Sequence, residues 1–443
     1  MGSFTLSRLS IVAVASWLLM SCHAARRSTA STSPVPVLPT VDTITYHPLE
    51  SAYDLDALVN DMVGAKVVLL GESTHGTSEF YTWRTEITKK LIAEQGFNFI
   101  AIEGDWTDAY KINQFVEGPL QRDAAAVTAL KQFDRWPSSM WSNYEMVPML
   151  EWLNTYNQDK AAPDKVGFYG LDIYSFWEWT QQPNAVPDSG VQRAIRKTRD
   201  WFAPYNNDAM AYADSLRHLK PAGGNYSYLL WNAVQQYTHG KQPTDEAGFL
   251  LYQNAFVTLD GEKYFRTTVS DHVRATTMRD QHMAETIKRL LAYYGPDAKA
   301  VVWVHNNHAG DEHYSGYSAS GYTSVGEILR KDLGRDKVYG VGFGTYKGTV
   351  VAGYSWNSPP IEQKVLPAKE GSWEYLLHKQ NDKNKIILSK ELKYNAAANK
   401  WLEFRSIGAT FDGAAIYSLS MMPQRFDAFV YIDSTTALHP IGK

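Results

Sequence analysis

Lys66-Val67-Val68-Leu69-Leu70-Gly71-Glu72-Ser73-Thr74-His75-Gly76-Thr77 runs from an apolar stretch into a polar turn, and the residues beyond it place Phe80, Trp83, Ile87 and Leu91 on one helical face. Buried strand, turn and amphipathic helix in that order open an α/β unit. A carboxylate, Glu72, and an imidazole, His75, thereby stand at the carboxyl end of a strand. There the first N–H groups of the following helix are free, and open α/β sheets gather their ligands.

The same grammar recurs along the chain. Phe99-Ile100-Ala101-Ile102 ends in Glu103, Val166-Gly167-Phe168-Tyr169-Gly170-Leu171 ends in Asp172, and Ala300-Val301-Val302-Trp303-Val304 runs into His305-Asn306-Asn307-His308. Lys337 to Gly342 and Phe429 to Asp433 supply two more strand candidates. Strands spaced too far apart for hairpins, with helices between them, predict an α/β fold whose mostly parallel central sheet is flanked by helices. Between about residues 181 and 294 apolar residues recur at helical spacing instead. This stretch reads as a helical insertion capping the carboxyl edge of the sheet, with breaks at Gly223-Gly224 and Gly240. Asp260-Gly261 then precedes a long helix carrying Arg274, Arg279, Asp280, His282 and Met283.

The chain has 443 residues, 44% of them hydrophobic, enough for a sizeable core and too apolar for a disordered protein. Its net charge of −4, with no Lys/Arg stripe, excludes a nucleic-acid binder. A single cysteine, Cys22, excludes an intramolecular disulfide and Cys-rich metal sites. Arg8, the apolar run Leu9 to Met20, Ser21 and Cys22 read as a secretory leader ending in a lipobox-like sequence. The expected organisation is a lipoprotein-type signal peptide over 1–21, a Ser/Thr/Ala/Pro-rich tether over 22–45 and one domain over 46–443. The expected location is extracytoplasmic, membrane-anchored through a lipidated Cys22, or periplasmic if the leader is cleaved without lipidation.

Glu72, His75, Arg84, Glu103, His305 and His308 come from three strand ends that a parallel sheet could bring together. Arg84, inside the first helix, can turn back toward the strand ends or serve as a structural ion pair. His305 and His308 would share a helix face, which suits a metal or a shared substrate oxygen, although Asn306-Asn307 suggest a turn instead. There is no G-x-S-x-G elbow and no phosphate loop of the G-x-x-x-x-G-K-[ST] type. Water activated by His and Glu, with or without a metal, fits these residues better than a covalent nucleophile.

Gly71 to Thr77 with Glu79-Phe80 and Arg84, Gly96-Phe97 leading to Glu103, Gly170-Leu171-Asp172, Arg279-Asp280 with Met283, His305 to His308 and Phe426-Asp427-Ala428 together resemble the erythromycin esterase family, over most of the chain from about Leu49. The resemblance implies a carboxylic ester hydrolase that opens the lactone ring of a macrolide antibiotic. It implies no cofactor, with a divalent metal left open, and a small-molecule lactone or ester as the partner. By position, His75 would be the general base, Glu72 its acidic partner, and Glu103, Arg84, His305 and His308 the residues that polarise the carbonyl or hold the substrate. Two other readings stand beside it. One is a metallohydrolase of another ester or an amide, with Glu72, His75, Glu103, His305 and His308 as N/O ligands. The other is a non-catalytic surface lipoprotein binding haem or a glycan.

Overall fold

The computed structural model describes residues 44–120, 125–133, 135–181, 186, 188–206, 208–217 and 225–442. The expected signal peptide, Cys22, the tether up to residue 43 and the Gly223-Gly224 break lie outside these residues. The first described residue, Ile44, is buried, and its carbonyl accepts a hydrogen bond from Gln380.

Among the described residues eleven strands follow in chain order: β1 (His47–Pro48), β2 (Val67–Leu70), β3 (Phe99–Asp105), β4 (Gly167–Asp172), β5 (Ala300–Trp303), β6 (Val338–Ala352), β7 (Ile361–Val365), β8 (Lys385–Leu388), β9 (Leu402–Ser406), β10 (Ile416–Ser420) and β11 (Ala428–Thr435). The main sheet has nine strands in the order β1-β8-β11-β6-β2-β5-β3-β4, with β7 paired to β6, while β9 and β10 form a separate hairpin. From β11 to β4 every neighbour is parallel, and the antiparallel pairs are β1 with β8, β8 with β11, and β6 with β7. The expected mostly parallel sheet is therefore present. Except for the two-residue β1, the antiparallel strands and the β9–β10 hairpin come from the C-terminal third, where these strands are short.

The parallel strands are apolar on both faces because both faces are covered. Val67, Leu69, Phe99, Ala101, Ala300 and Val302 pack into one core, and Val68, Leu70, Ile100, Ile102, Val301 and Trp303 into another. The first long helix, Ser78–Gln95, lays Phe80, Ile87 and Leu91 on the second face and ends at Gly96 in the left-handed conformation. The insertion is helical as expected, with helices Ser189–Phe202, Ala209–Leu216, Tyr226–Tyr237, Glu246–Thr268 and His272–Tyr294. Phe249, Val257, Phe265, Met283 and Ile287 from its last two helices cover the first face, and the last helix reaches the carboxyl ends of the strands.

One boundary differs from expectation. Asp260-Gly261 does not precede a helix but lies inside Glu246–Thr268, and the break falls at Val269 to Asp271, where the Asp271 side chain caps the next helix by accepting from the Arg274 N–H. Gly261 is needed there for closeness, since a Cβ would stand 2.4 Å from the Phe176 Cβ.

Topology decides the placement of the site. β5 inserts between β2 and β3, so the carboxyl ends of β2, β5, β3 and β4 follow one another across the sheet and carry Glu72, His305, Glu103 and Asp172.

Candidate active site

The turn after β2 holds its shape through backbone pairing with distant segments: the carbonyl of Ser73 accepts from the Ile407 N–H, and that of Gly76 from the N–H groups of Val351 and Leu438. A side chain at Gly76 would stand 1.9 Å from the Val351 carbonyl. Within the turn His75 Nδ1 lies 2.8 Å from Glu72 Oε1, and Arg84 Nη2 donates to Glu72 Oε2 at 2.7 Å. Arg84 does turn back toward the strand end, fully buried, its guanidinium sitting 4.4 Å from the Tyr81 ring and 4.7 Å from the Trp303 ring. Those rings supply cation–π contact where its Nε and Nη1 have no acceptor. Tyr81 in turn donates to the His75 carbonyl at 3.2 Å. With Glu72 accepting at Nδ1, the His75 proton sits on that nitrogen and Nε2 keeps its lone pair. The His75 side chain is 12% exposed, against 1% for Glu72, so the imidazole is the part of this pair that meets the outside.

His305 faces His75, ring centroids 4.9 Å apart. It stands just before the short helix Asn306–Ala309, and its Nδ1 accepts from the Asn307 N–H at 3.2 Å. Of the two geometries left open by sequence, the structure shows a capping turn, so His305 and His308 point to different neighbours. Burial, aided by the nearby His75, pushes His305 well below the usual imidazole range against the pull of Glu103 and the Ser73 carbonyl. A neutral ring whose Nδ1 accepts must carry its proton on Nε2, a buried atom that feels the Ser73 carbonyl but makes no well-formed hydrogen bond. Asn306 roots the turn by donating to the Phe343 carbonyl and accepting from the Phe343 N–H.

Glu103 lies where the β3–β4 register shifts, a bulge that re-aims side chains. Its Oε2 accepts the His305 N–H at 2.8 Å, and its Oε1 lies 3.0 Å from Arg279 Nη2 and 3.2 Å from His308 Nε2. Burial alone would raise this carboxyl, but His308 and Arg279, joined by His75 when that ring is charged, hold it well below the usual carboxylate range. Glu103 is thus a saturated anion that fixes its neighbours and has no proton to exchange. His308 lies between two carboxylates, its Nδ1 2.6 Å from Asp280 Oδ1 and its Nε2 toward Glu103. Against burial, Asp280 and Glu103 lift it to about 10, so it is an imidazolium near neutrality.

All six residues expected from sequence are therefore brought to one sheet edge. Asp172, Arg279, Asp280 and Tyr322 join them without having been given a role. Arg279 binds Asp172 through Nε at 2.8 Å and Nη2 at 2.5 Å, and Tyr322 Oη donates to Asp280 Oδ2 at 3.2 Å. The signals that could have found them were an acid directly after an apolar strand at Asp172 and an Arg-Asp doublet on a long helix.

The five suggested metal ligands do not converge. Among the described residues, the one group of three ligand atoms within 4.8 Å of each other belongs to Asp311, His313 and Glu327, and there the guanidinium of Arg335 already pairs with Asp311. No described helix is long and apolar enough to cross a membrane.

The family model described as erythromycin esterase matches residues 92–435, a span that begins inside the first helix and leaves the Gly71–Thr77 turn outside it. An Escherichia coli protein named erythromycin esterase type II is 23% identical over 347 residues, covering 72% of this chain and 77% of its own. A crystal structure titled as a succinoglycan biosynthesis protein superposes with a TM-score of 0.72 at 20% identity, over 90% of this chain and 97% of that one. An erythromycin esterase mutant in its open conformation does so with a TM-score of 0.60 at 16% identity, over 88% and 98% of the two chains. The family model spans more than half of the sequence, and the chain belongs to the erythromycin esterase family.

Proposed function

We propose that this member of a hydrolase superfamily cleaves an ester, in the first instance the lactone of an erythromycin-like macrolide, by water that His75 activates. The observation that carries the reading is the His75 ring, oriented by Glu72 at Nδ1, itself held by Arg84, with Nε2 free beside the unpartnered Nε2–H of His305. Water gives its proton to His75 Nε2 while its oxygen bonds to the carbonyl carbon. The resulting oxyanion takes the hydrogen bond from His305. The tetrahedral species then collapses, the carbon–alkoxy bond breaks, and the alkoxide recovers the proton from His75, leaving an acid and an alcohol on one opened ring. By formal charge, Glu72, Glu103, Asp172 and Asp280 outnumber Arg84, Arg279 and the His308 imidazolium by one, so a proton on His75 neutralises the cluster.

A family name borne by distant relatives makes the macrolide a choice of first substrate. An aromatic pair at the same edge supports a bulky apolar one: Val351, which bonds to Gly76, leads into the segment where Trp356 meets Trp136 at 4.6 Å. Location is part of the proposal too, with residues 1–21 as leader, a lipidated Cys22 and a tether joining it to the catalytic domain. Metabolic lipid labelling of wild type but not Cys22→Ser is the expected result. For the activity, a macrolide panel followed by mass spectrometry should give a product one water heavier, and folded protein that opens no member of the panel would refute the macrolide assignment.

A further inference from the structure

We infer that Arg279, supplied by the helical insertion, is a positioning residue for this centre: its fork, anchored on Asp172, clamps Glu103 in the orientation that holds His305 against His75. The inference rests on the hydrolytic reading above. One guanidinium nitrogen, Nη2, bridges carboxylates of two neighbouring strands, Asp172 Oδ2 at the end of β4 and Glu103 Oε1 on β3, while Nε secures the other Asp172 oxygen. Glu103 needs such a clamp because it sits at the β3 irregularity, and its second oxygen is what receives the His305 N–H.

The chain of contacts runs Asp172, Arg279, Glu103, His305, His75; Arg279 touches neither ring of the reacting pair, and its remaining Nη1 lies 3.2 Å from His308 Nε2. Its side chain is 12% exposed, the Tyr174 ring lies 5.4 Å from the guanidinium, and its helix is fixed in the core by Met283 and Ile287. A lysine would be a point charge able to reach one carboxylate at a time, whereas the planar fork binds two in fixed directions. Without the guanidinium, Asp172 loses its cation, and Glu103 keeps the His308 imidazolium and the His305 N–H but loses the bridge that ties it to the end of β4 and fixes its direction.

The test uses full-length Arg279→Ala, Arg279→Lys and Asp172→Asn, with three readouts: kinetics on an ester that wild type cleaves in a His75-dependent way, thermal unfolding, and nitrogen NMR of the histidine rings. In folded Arg279→Ala, kcat should fall about 100-fold with KM within about threefold, as a displaced catalytic group requires. Added guanidinium should restore part of the rate, Arg279→Lys should recover little, and the His305 signal should lose its single Nε2–H form. Asp172→Asn should fall between wild type and Arg279→Ala. A folded Arg279→Ala with wild-type kcat and an unchanged His305 ring overturns the inference. If the Arg279 variants do not fold, wild-type kcat and ring spectrum in Asp172→Asn overturn it. Should wild type cleave no ester, the hydrolytic reading fails separately, and the ring spectra alone decide whether the clamp exists.

Discussion

The two halves of the site are built in different ways. Glu72, His75 and Arg84 come from one strand, its turn and the next helix, whereas Glu103, Asp172, Arg279, Asp280 and His308 come from β3, β4, an insertion helix and the turn after β5. The first half presents a histidine with an open nitrogen. In the second, both histidine nitrogens face carboxylates and every strong charge has an opposite partner. A group that exchanges protons needs an uncommitted lone pair, while a group that orients others is more effective when saturated. The compact half therefore has the properties of a working base, and the dispersed half those of a frame.

Removing the base should have the largest effect: His75→Ala should lower kcat/KM by about 10³-fold or more without a change in unfolding temperature, as loss of a general base does. An active His75→Ala would reverse the assignment of the two halves. Next comes Arg84→Met, which leaves Glu72 buried with its cation gone. Breaking such a pair costs about 3–5 kcal/mol, read by urea unfolding. A loss below about 1 kcal/mol there would show that the Arg84–Glu72 pair supplies little of the order of the first half. Gly261→Ala should cost about 1–3 kcal/mol by forcing the insertion off Phe176, and should lower activity through the second half alone.

The smallest expected effect is the pH response of Asp280→Asn. His308 has its folded pKa raised from 6.5 to about 10, so its stabilising contribution is complete below 6.5 and disappears as pH rises through 10. Removing Asp280 should bring that decline to lower pH, a loss on the order of 1–2 kcal/mol near pH 9 relative to the wild-type profile. Parallel unfolding curves for the two proteins across this window would mean that Asp280 does not hold the His308 proton.

The contrast between the halves also explains what was readable in the chain. Glu72 and His75 follow a four-residue buried strand, so their place at its carboxyl end was legible from periodicity, whereas the return of Arg84 onto Glu72 was only one of two readings the helix allowed. Glu103, His305 and His308 were legible as residues at strand ends, but which oxygen meets which nitrogen depends on β5 entering between β2 and β3 and on the β3 bulge, and neither leaves a mark in the sequence. Arg279 and Asp280 were hidden for a different reason. Their helix has a conventional apolar face through Met283 and Ile287, and although the Arg-Asp doublet is visible on it, only the tertiary fold tells that this turn points into a site. Asp260-Gly261 misled because the glycine there serves close packing within a helix and not a break, a distinction set wholly by the tertiary neighbour Phe176.

Turnover in heavy-oxygen water, with the protein and the product weighed in the same mass spectrum, tests the base-and-frame description most directly. The expected result is one heavy oxygen in the new carboxylate and unmodified protein throughout, with the incorporation lost in His75→Ala. An acylated protein during turnover would contradict it, because the attack would then have come from a side chain and not from water held by His75.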